Sequence, residues 1–393
     1  MNSDRWAWAD VDLGAIAHNV DVLRRAVAPS AVWVVVKANG YGHGAIDVAR
    51  TALGSGAAGL CVALVEEGVE LRSAGIDAPI LVLSEQPAER SAELIAHRLV
   101  TTVYRTDAVE ELRRAAIAAG ATGHPVHVKI DTGMQRVGVR PEGAGRVVEA
   151  IIAAAPSLRL EGIFTHLAVA DEPENPFTDV QLARFDGALA GVLPSAGRAG
   201  RGQVVVHAAN SAGALAHPGS RRSFVRAGIA VYGISPGRSV DHLCGDLVPA
   251  LALRARVSFV KPVRAGSRIS YGLRHTFSHD TTVATVPIGY ADGVPRRLSS
   301  TGAHVLIRGR PRPIVGVVTM DQLMVDCGPD SEVAIGDEVV LIGDQDGPDG
   351  VQRIRATDWA DRLGTIGYEI VCGIGARVPR HPGRSIRSRM VVR

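Results

Sequence analysis

The strongest constraint on this chain is an alternation of hydrophobic period. Short apolar runs rich in β-branched residues occur at 31–36, 57–64, 79–84, 99–104, 125–131, 158–166, 203–208 and 223–228. Most are followed by a segment whose apolar residues recur every three or four positions. In the helical segment that precedes the first run, Ile16, Val20, Leu23 and Val27 share a face, and Pro29 ends the pattern. About eight strand-like runs joined by helices call for parallel strands with right-handed crossovers, and eight such units close a TIM barrel. A doubly wound open sheet is the competing architecture.

From about residue 240 the texture changes. Runs such as RARVSFVKPV, TTVATVPIG, HVLIRG, IVGVVTM and EVVLIGD alternate at the strand period, with turns at Gly272, Gly293, Gly309 and Gly336. They read as a mostly antiparallel β domain. A chain of 393 residues, 46% of them apolar, exceeds what one hydrophobic core usually serves. The expected division is a barrel over 1–240 and a β domain over 241–393, with the first residues free to pack with the latter. No low-complexity linker marks the join.

Chemistry enters at VVVKANGYGHG, where Lys37 ends an apolar run and a glycine-rich loop follows. Desolvation lowers a lysine pKa, and a neutral amine can attack a carbonyl. A surface lysine just past a strand end is the plainer reading. In a barrel, however, the C-terminal strand ends hold the active site. Lys37, Lys129 with Asp131, His166, His207 with Asn210 and Ser211, and Arg226 with Gly228 all fall at such ends. The loops after the seventh and eighth strands, AANSAG and RAGIAVYG, are where barrels commonly hold phosphate.

Composition excludes several classes. Lys and Arg total 43 against 40 Asp and Glu, a net charge of +3, so the electrostatic footprint of a nucleic-acid binder is missing. Cys61, Cys244, Cys327 and Cys372 lie far apart with no metal-ligand spacing, which predicts no metal and no disulfide framework and suits a reducing compartment. The polar N-terminus and the lack of any run of about 18 apolar residues predict neither signal peptide nor spanning helix. The expectation is a cytoplasmic protein that does not engage membranes.

VVVKANGYGHG also resembles the cofactor attachment site of the alanine racemase family. The likeness continues through HVKIDTGMQRVG (127–138), THLA (165–168), HAANSAG (207–213), VRAGIAVYG (225–233), ISYG (269–272), PIGYADGVPR (287–296), VTMDQLMVD (318–326) and GYEIVCGIGARVPR (367–380). The resemblance implies a pyridoxal 5'-phosphate (PLP) enzyme that interconverts L- and D-alanine, with Lys37 carrying the cofactor. It implies phosphate contacts from Tyr41, Ser211, Gly228, Ile229 and Tyr368, and places Asn210 among the cofactor-binding residues. Arg226 would face the pyridine nitrogen with His207 in support; an arginine only donates, which leaves that nitrogen unprotonated and the ring a weaker electron sink.

Racemisation needs a base on each face of Cα. The resemblance assigns Lys37 to one face and Tyr271, from the partner subunit of a homodimer, to the other, with His166 linking Tyr271 to Arg226. It assigns the substrate carboxylate to Arg136, substrate-side contacts to Met320 and Asp321, and the lining of the substrate approach to Tyr290. Lys129 matches a lysine often carbamylated in relatives; an unmodified Lys129 paired with Asp131 is the alternative. Two positions depart from the family: Thr319 stands where cysteine is common, and Gln135 where glycine is usual. Both adjoin the carboxylate site and leave a broader amino-acid specificity open. Other readings are a barrel-type PLP decarboxylase, a non-catalytic PLP carrier and, more distantly, a barrel enzyme acting on sugar phosphates.

Overall fold

The computed structural model describes residues 5–198, 204–329 and 331–383. Among these residues contacts separate two units, one drawn from Met1–Ala15, Tyr41–Gly44 and Pro249–Arg393, the other from Ile16–Gly40 and Ala45–Val248. The first strand, β1 (Ala7–Val11), belongs to the former although the chain then runs directly into the latter.

The second unit is the barrel. Its strands are β2 (Ala31–Val35), β3 (Gly59–Val62), β4 (Ile80–Val82), β5 (Val100–Val103), β6 (His124–Lys129), β7 (Leu158–Phe164), β8 (Val205–His207) and β9 (Phe224–Ala227). They form an 8-stranded sheet in the order β8-β7-β6-β5-β4-β3-β2-β9, and every pairing along it is parallel. Helices alternate with the strands, as the change of period requires. The seam between β8 and β9 is bridged by Ser223 N donating to Val206 O (2.9 Å) and Arg226 N donating to Ala209 O (3.0 Å). The sheet is thus a nearly closed barrel, and the open-sheet alternative is set aside.

The interior is filled by rings. Trp33 stacks on Phe224 at 4.5 Å, Phe224 on His207 at 4.1 Å, and His207 on Phe164 at 4.6 Å. Gly59 is glycine for packing reasons: a Cβ there would stand 2.7 Å from the Trp33 indole. Directly after β2 the backbone turns left-handed through Ala38, Asn39 and Gly40, with φ of 52°, 53° and 60°. That conformation costs a non-glycine residue about 1–2 kcal/mol. It is held by Gly40 N donating to Val36 O (2.8 Å), Ala38 N to Glu67 Oε1 (2.6 Å) and Ala45 N to Asn39 Oδ1 (2.9 Å). A loop rich in glycine is expected from the sequence; this built turn beginning at Lys37 is not.

The other unit contains β1 with β10 (Leu251–Arg256), β11 (Phe259–Val263), β12 (Arg268–Ile269), β13 (His275–Thr276), β14 (Thr281–Val286), β15 (His304–Ile307), β16 (Arg310–Val315), β17 (Leu323–Asp326), β18 (Glu338–Gly347), β19 (Gly350–Ile354) and β20 (Arg380–Pro382). Its main sheet runs β11-β14-β17-β16-β15-β18-β10-β1-β20, antiparallel in every pair described except β1 on β20. β1 is buried along its length, and Asp10 within it is accommodated by Arg254, whose Nε lies 3.2 Å away. Among the described residues no helix is long and apolar enough to cross a membrane.

Candidate active site

Within the barrel unit the strand ends gather Lys37, Lys129, His166, His207, Ser211 and Arg226, as the sequence predicts. Arg226, on β9, is buried, and both of its terminal nitrogens have acceptors. It donates to His207 Nδ1 (2.7 Å), Thr165 O (2.8 Å), Ala208 O (2.9 Å) and His166 Nδ1 (3.2 Å). Burial pulls its pKa down to about 10, so it stays a cation at neutral pH. His207 and His166 are both held well below 6.5, first by burial and then by Arg226; Lys129, Arg136 and Lys37 add to the effect on His166. Both imidazoles are therefore neutral, and each offers Nδ1 as an acceptor to the guanidinium.

Lys129 closes β6, is 5% exposed, and lies over the Phe164 ring, 5.7 Å from its centroid. Burial, followed by Arg136, Arg226 and Lys37, lowers its pKa to about 8, against a smaller upward pull from Asp131. Asp131 instead shapes the turn that leads to Arg136, its Oδ1 accepting from Gly133 N (2.9 Å) and Gln135 N (3.1 Å). Gln135 sits at φ 56°, so the departure from glycine falls where the backbone is left-handed and a side chain is strained. Arg136 itself is exposed.

The phosphate-type loops come together as expected. Ser211 Oγ accepts from Gly228 N (2.9 Å) and Ala230 N (3.4 Å), which leaves its own proton to donate outward. Ile229 is buried beside them. Asn210 serves the backbone: it caps the helix Ser211–Ala216, its Oδ1 accepting from Gly213 N (2.9 Å). Positive charge is the common property of this end of the barrel. Lys37, Lys129, Arg136 and Arg226 all act on one neutral histidine. The arrangement can bind and orient anions, and two anionic groups would balance it better than one.

Three residues here escape the sequence reading. Cys61, on β3, lies near Arg226 and Lys37, yet burial pushes its thiol up to about 12, so it is inert. His127 and Glu161 lie behind His207. Strict alternation in HVK, which turns His127 and Lys129 to the same side of β6, is the signal that could have found His127.

In the β unit, Tyr41 and Tyr368 face each other with ring centroids 6.1 Å apart. The segment holding Tyr41 is tied down by Arg380, which donates to Gly42 O (2.9 Å), Gly375 O (2.6 Å), Ile374 O (2.6 Å) and Val378 O (2.7 Å). Tyr290 and Met320 are zipped together: Tyr290 N donates to Thr319 O and Ala291 N to Met320 O, both at 3.0 Å, while Gly289 leaves no room for a Cβ against the Thr319 and Met320 carbonyls. Asp321 accepts from Arg377 Nη2 (2.7 Å), whose Nε lies 3.4 Å from the buried Asp292. Tyr271 is 71% exposed, in a short turn after Ser270, a residue at φ 65° whose hydroxyl donates to Val317 O (3.0 Å).

Comparison with known proteins agrees with this geometry. Residues 11–236 match the family model for the alanine racemase N-terminal domain, and 250–382 that for the C-terminal domain. An alanine racemase of Symbiobacterium thermophilum is 47% identical over 98% of this chain and 98% of its own. The crystal structure of an alanine racemase from Bacillus anthracis with bound L-Ala-P superposes with a TM-score of 0.89 at 38% identity, covering 98% of this chain and 97% of the other. A histidine racemase from Leuconostoc mesenteroides subsp. sake reaches a TM-score of 0.87 at 26% identity, over 96% of this chain and 98% of its own. Barrel, β unit, charged strand ends and full-length similarity agree, and the chain belongs to the alanine racemase family.

Proposed function

We propose that this protein interconverts L- and D-alanine with PLP as cofactor, as a symmetric homodimer in which each active site draws residues from both subunits. The observation that carries the reading is the gathering of Lys37, Lys129, Arg136 and Arg226 around a neutral His166. A phosphate and a substrate carboxylate are the two anions it calls for. PLP fits the donor set, with the Ser211 hydroxyl backed by Gly228 N, a backbone N–H at Ile229, a cationic donor at Arg226, and an amine at Lys37; the resemblance gives Gly228 a phosphate contact as well. The resemblance adds Tyr41 and Tyr368 as phosphate-binding residues and keeps Asn210 beside them.

When bound, PLP withdraws electrons from the amino acid and makes the Cα proton acidic. The chain's own residues divide the remaining work. Lys37 holds the cofactor and moves the Cα proton on one face. Tyr271 of the partner subunit moves it on the other, with His166 linking its hydroxyl to Arg226. Arg226 cannot accept a proton, which keeps the ring it faces a weak electron sink and confines the enzyme to proton movement. Arg136 clamps the carboxylate with its two-pronged donor. Met320, Asp321 and Tyr290 bound the substrate. Lys129, with a pKa near 8, carries a neutral share able to add carbon dioxide; the resulting anion would offset the surrounding cations. A wider amino-acid range is the second reading, favoured by the histidine racemase neighbour and by Gln135 and Thr319 beside the carboxylate site.

The test is a racemisation assay over a panel of L-amino acids with PLP supplied. Wild type should bring L-alanine to an equal mixture of enantiomers. Lys37→Ala and Tyr271→Phe should each lose most of the turnover, and 13C NMR after equilibration with labelled bicarbonate should show a carbamate carbon that Lys129→Met lacks. Unimpaired turnover in Tyr271→Phe would overturn the two-base assignment, and carbon dioxide release in place of racemisation would overturn the reaction.

A further inference from the structure

Behind Arg226 the barrel holds a second, deeper row of polar groups that the reaction does not use directly. His207 Nε2 lies 3.0 Å from His127 Nδ1, and His127 Nε2 lies 3.4 Å from Glu161 Oε2. Arg159 Nη2 donates to the other carboxylate oxygen, Glu161 Oε1, at 2.8 Å. Both histidines have no solvent exposure.

The fold is adapted to this row at two points. The β6–β7 register passes from Val126↔Leu160 to His127↔Gly162, so the extra residue at the irregularity is Glu161. Such bulges re-aim a side chain. The next residue, Gly162, is where a Cβ would stand 2.6 Å from His127 Cε1 and 2.7 Å from Nδ1; only glycine leaves the imidazole its place.

One polarity suits the row: hydrogen bonds link Arg226, His207 and His127, and at the end His127 Nε2 makes no hydrogen bond but faces the carboxylate at 3.4 Å. Arg226 can only donate, so His207 Nδ1 accepts and its proton sits on Nε2. That proton requires His127 Nδ1 to accept, which puts the His127 proton on Nε2, facing the carboxylate. The reverse order would set two N–H groups against each other at Arg226. Charging His207 is opposed by burial and then by the guanidinium; charging His127 is opposed chiefly by burial, which outweighs the upward pull of Glu161.

We propose that Glu161 is a positioning residue: through His127 it fixes the tautomer of His207 and with it the orientation of Arg226 toward the group that Arg226 faces. The carboxylate and the guanidinium form an ion pair relayed through two neutral imidazoles, and no proton moves along it. This rests on the reading of Arg226 as the residue facing PLP. Glu161 persists as an anion at working pH: burial raises its pKa, but His127 and Arg159 together pull it down to about 2.

The experiment is 15N NMR of histidine ring nitrogens in the holoenzyme, with His127 and His207 assigned through His127→Gln and His207→Gln, beside steady-state kinetics of Glu161→Gln and Glu161→Leu. Wild type should show both rings neutral with the proton on Nε2. Glu161→Gln keeps an amide oxygen to accept, and should keep both tautomers and lose less turnover than the leucine variant. Glu161→Leu should move the His127 proton toward Nδ1 and lower kcat by about tenfold with little change in KM, as expected when a polar network loses its terminus. A wild-type His127 with its proton on Nδ1 overturns the proposal whether or not the leucine variant folds. So do ring shifts and kcat in Glu161→Leu that match wild type. Absence of racemisation in wild type would overturn the functional reading alone, because the ring shifts are read independently of turnover.

Discussion

His124 shows what a single buried titratable residue does to this barrel. It begins β6, is 5% exposed, and its Nε2 lies 2.8 Å from Thr101 Oγ1. Burial lowers its pKa from 6.5 to about 4, with a smaller upward pull from Glu161 and a downward one from Arg159. Between those two values the unfolded chain binds the proton that the folded chain refuses. The contribution to stability is therefore fully present above pH 6.5 and is lost as the pH falls toward 4. The full shift corresponds to about 3 kcal/mol. Urea unfolding of wild type and His124→Gln at pH 7 and pH 4 should show the variant gaining up to that amount relative to wild type at the lower pH. A difference independent of pH would contradict the buried, neutral assignment.

Many residues of the candidate site could be placed from the sequence because they end strands, and a strand end in a barrel is where function is expected. Lys37, Lys129, His207 and Arg226 were legible for this reason. Glu161 was not: a lone carboxylate in LRLEGIF looks like an outward-facing charge, and the irregularity that re-aims it is set by β6, which pairs with it from over 30 residues upstream. Asn210 was legible as a polar residue in a phosphate-type loop, but its capping bond needs the helix to exist first.

At the scale of elements, the barrel strands were legible because a change between two hydrophobic periods leaves little freedom of topology. β1 was not, since five residues carrying an aspartate do not read as a buried strand until Arg254 is brought beside them. The left-handed turn after β2 was also hidden, because Ala38 adopts a conformation that its own preference opposes, and the tolerance of Asn39 for it does not by itself signal such a turn. The packing of β6 against β7 gives a prediction at this scale. Gly162→Ala should cost about 1–3 kcal/mol by overpacking. Most of that cost should vanish in a His127→Ala background, as a double-mutant cycle by thermal unfolding would show. An equal cost in both backgrounds would mean that the imidazole is not what Gly162 makes room for.

For the whole molecule, the decisive surface is on the β unit. Tyr271, Leu273, Met320 and Tyr290 are exposed there by 71%, 49%, 51% and 42%. In the proposed symmetric dimer each Tyr271 would reach the other subunit's site, giving two shared sites per dimer. The most direct measurement uses a hybrid. Lys37→Ala and Tyr271→Phe chains are co-expressed under different tags, and the mixed dimer is isolated through both. In that hybrid one site carries both substitutions and the other carries neither. The account predicts that each variant alone is nearly inactive and that the hybrid regains about half of wild-type turnover per dimer. A pure hybrid as inactive as its parents would contradict it.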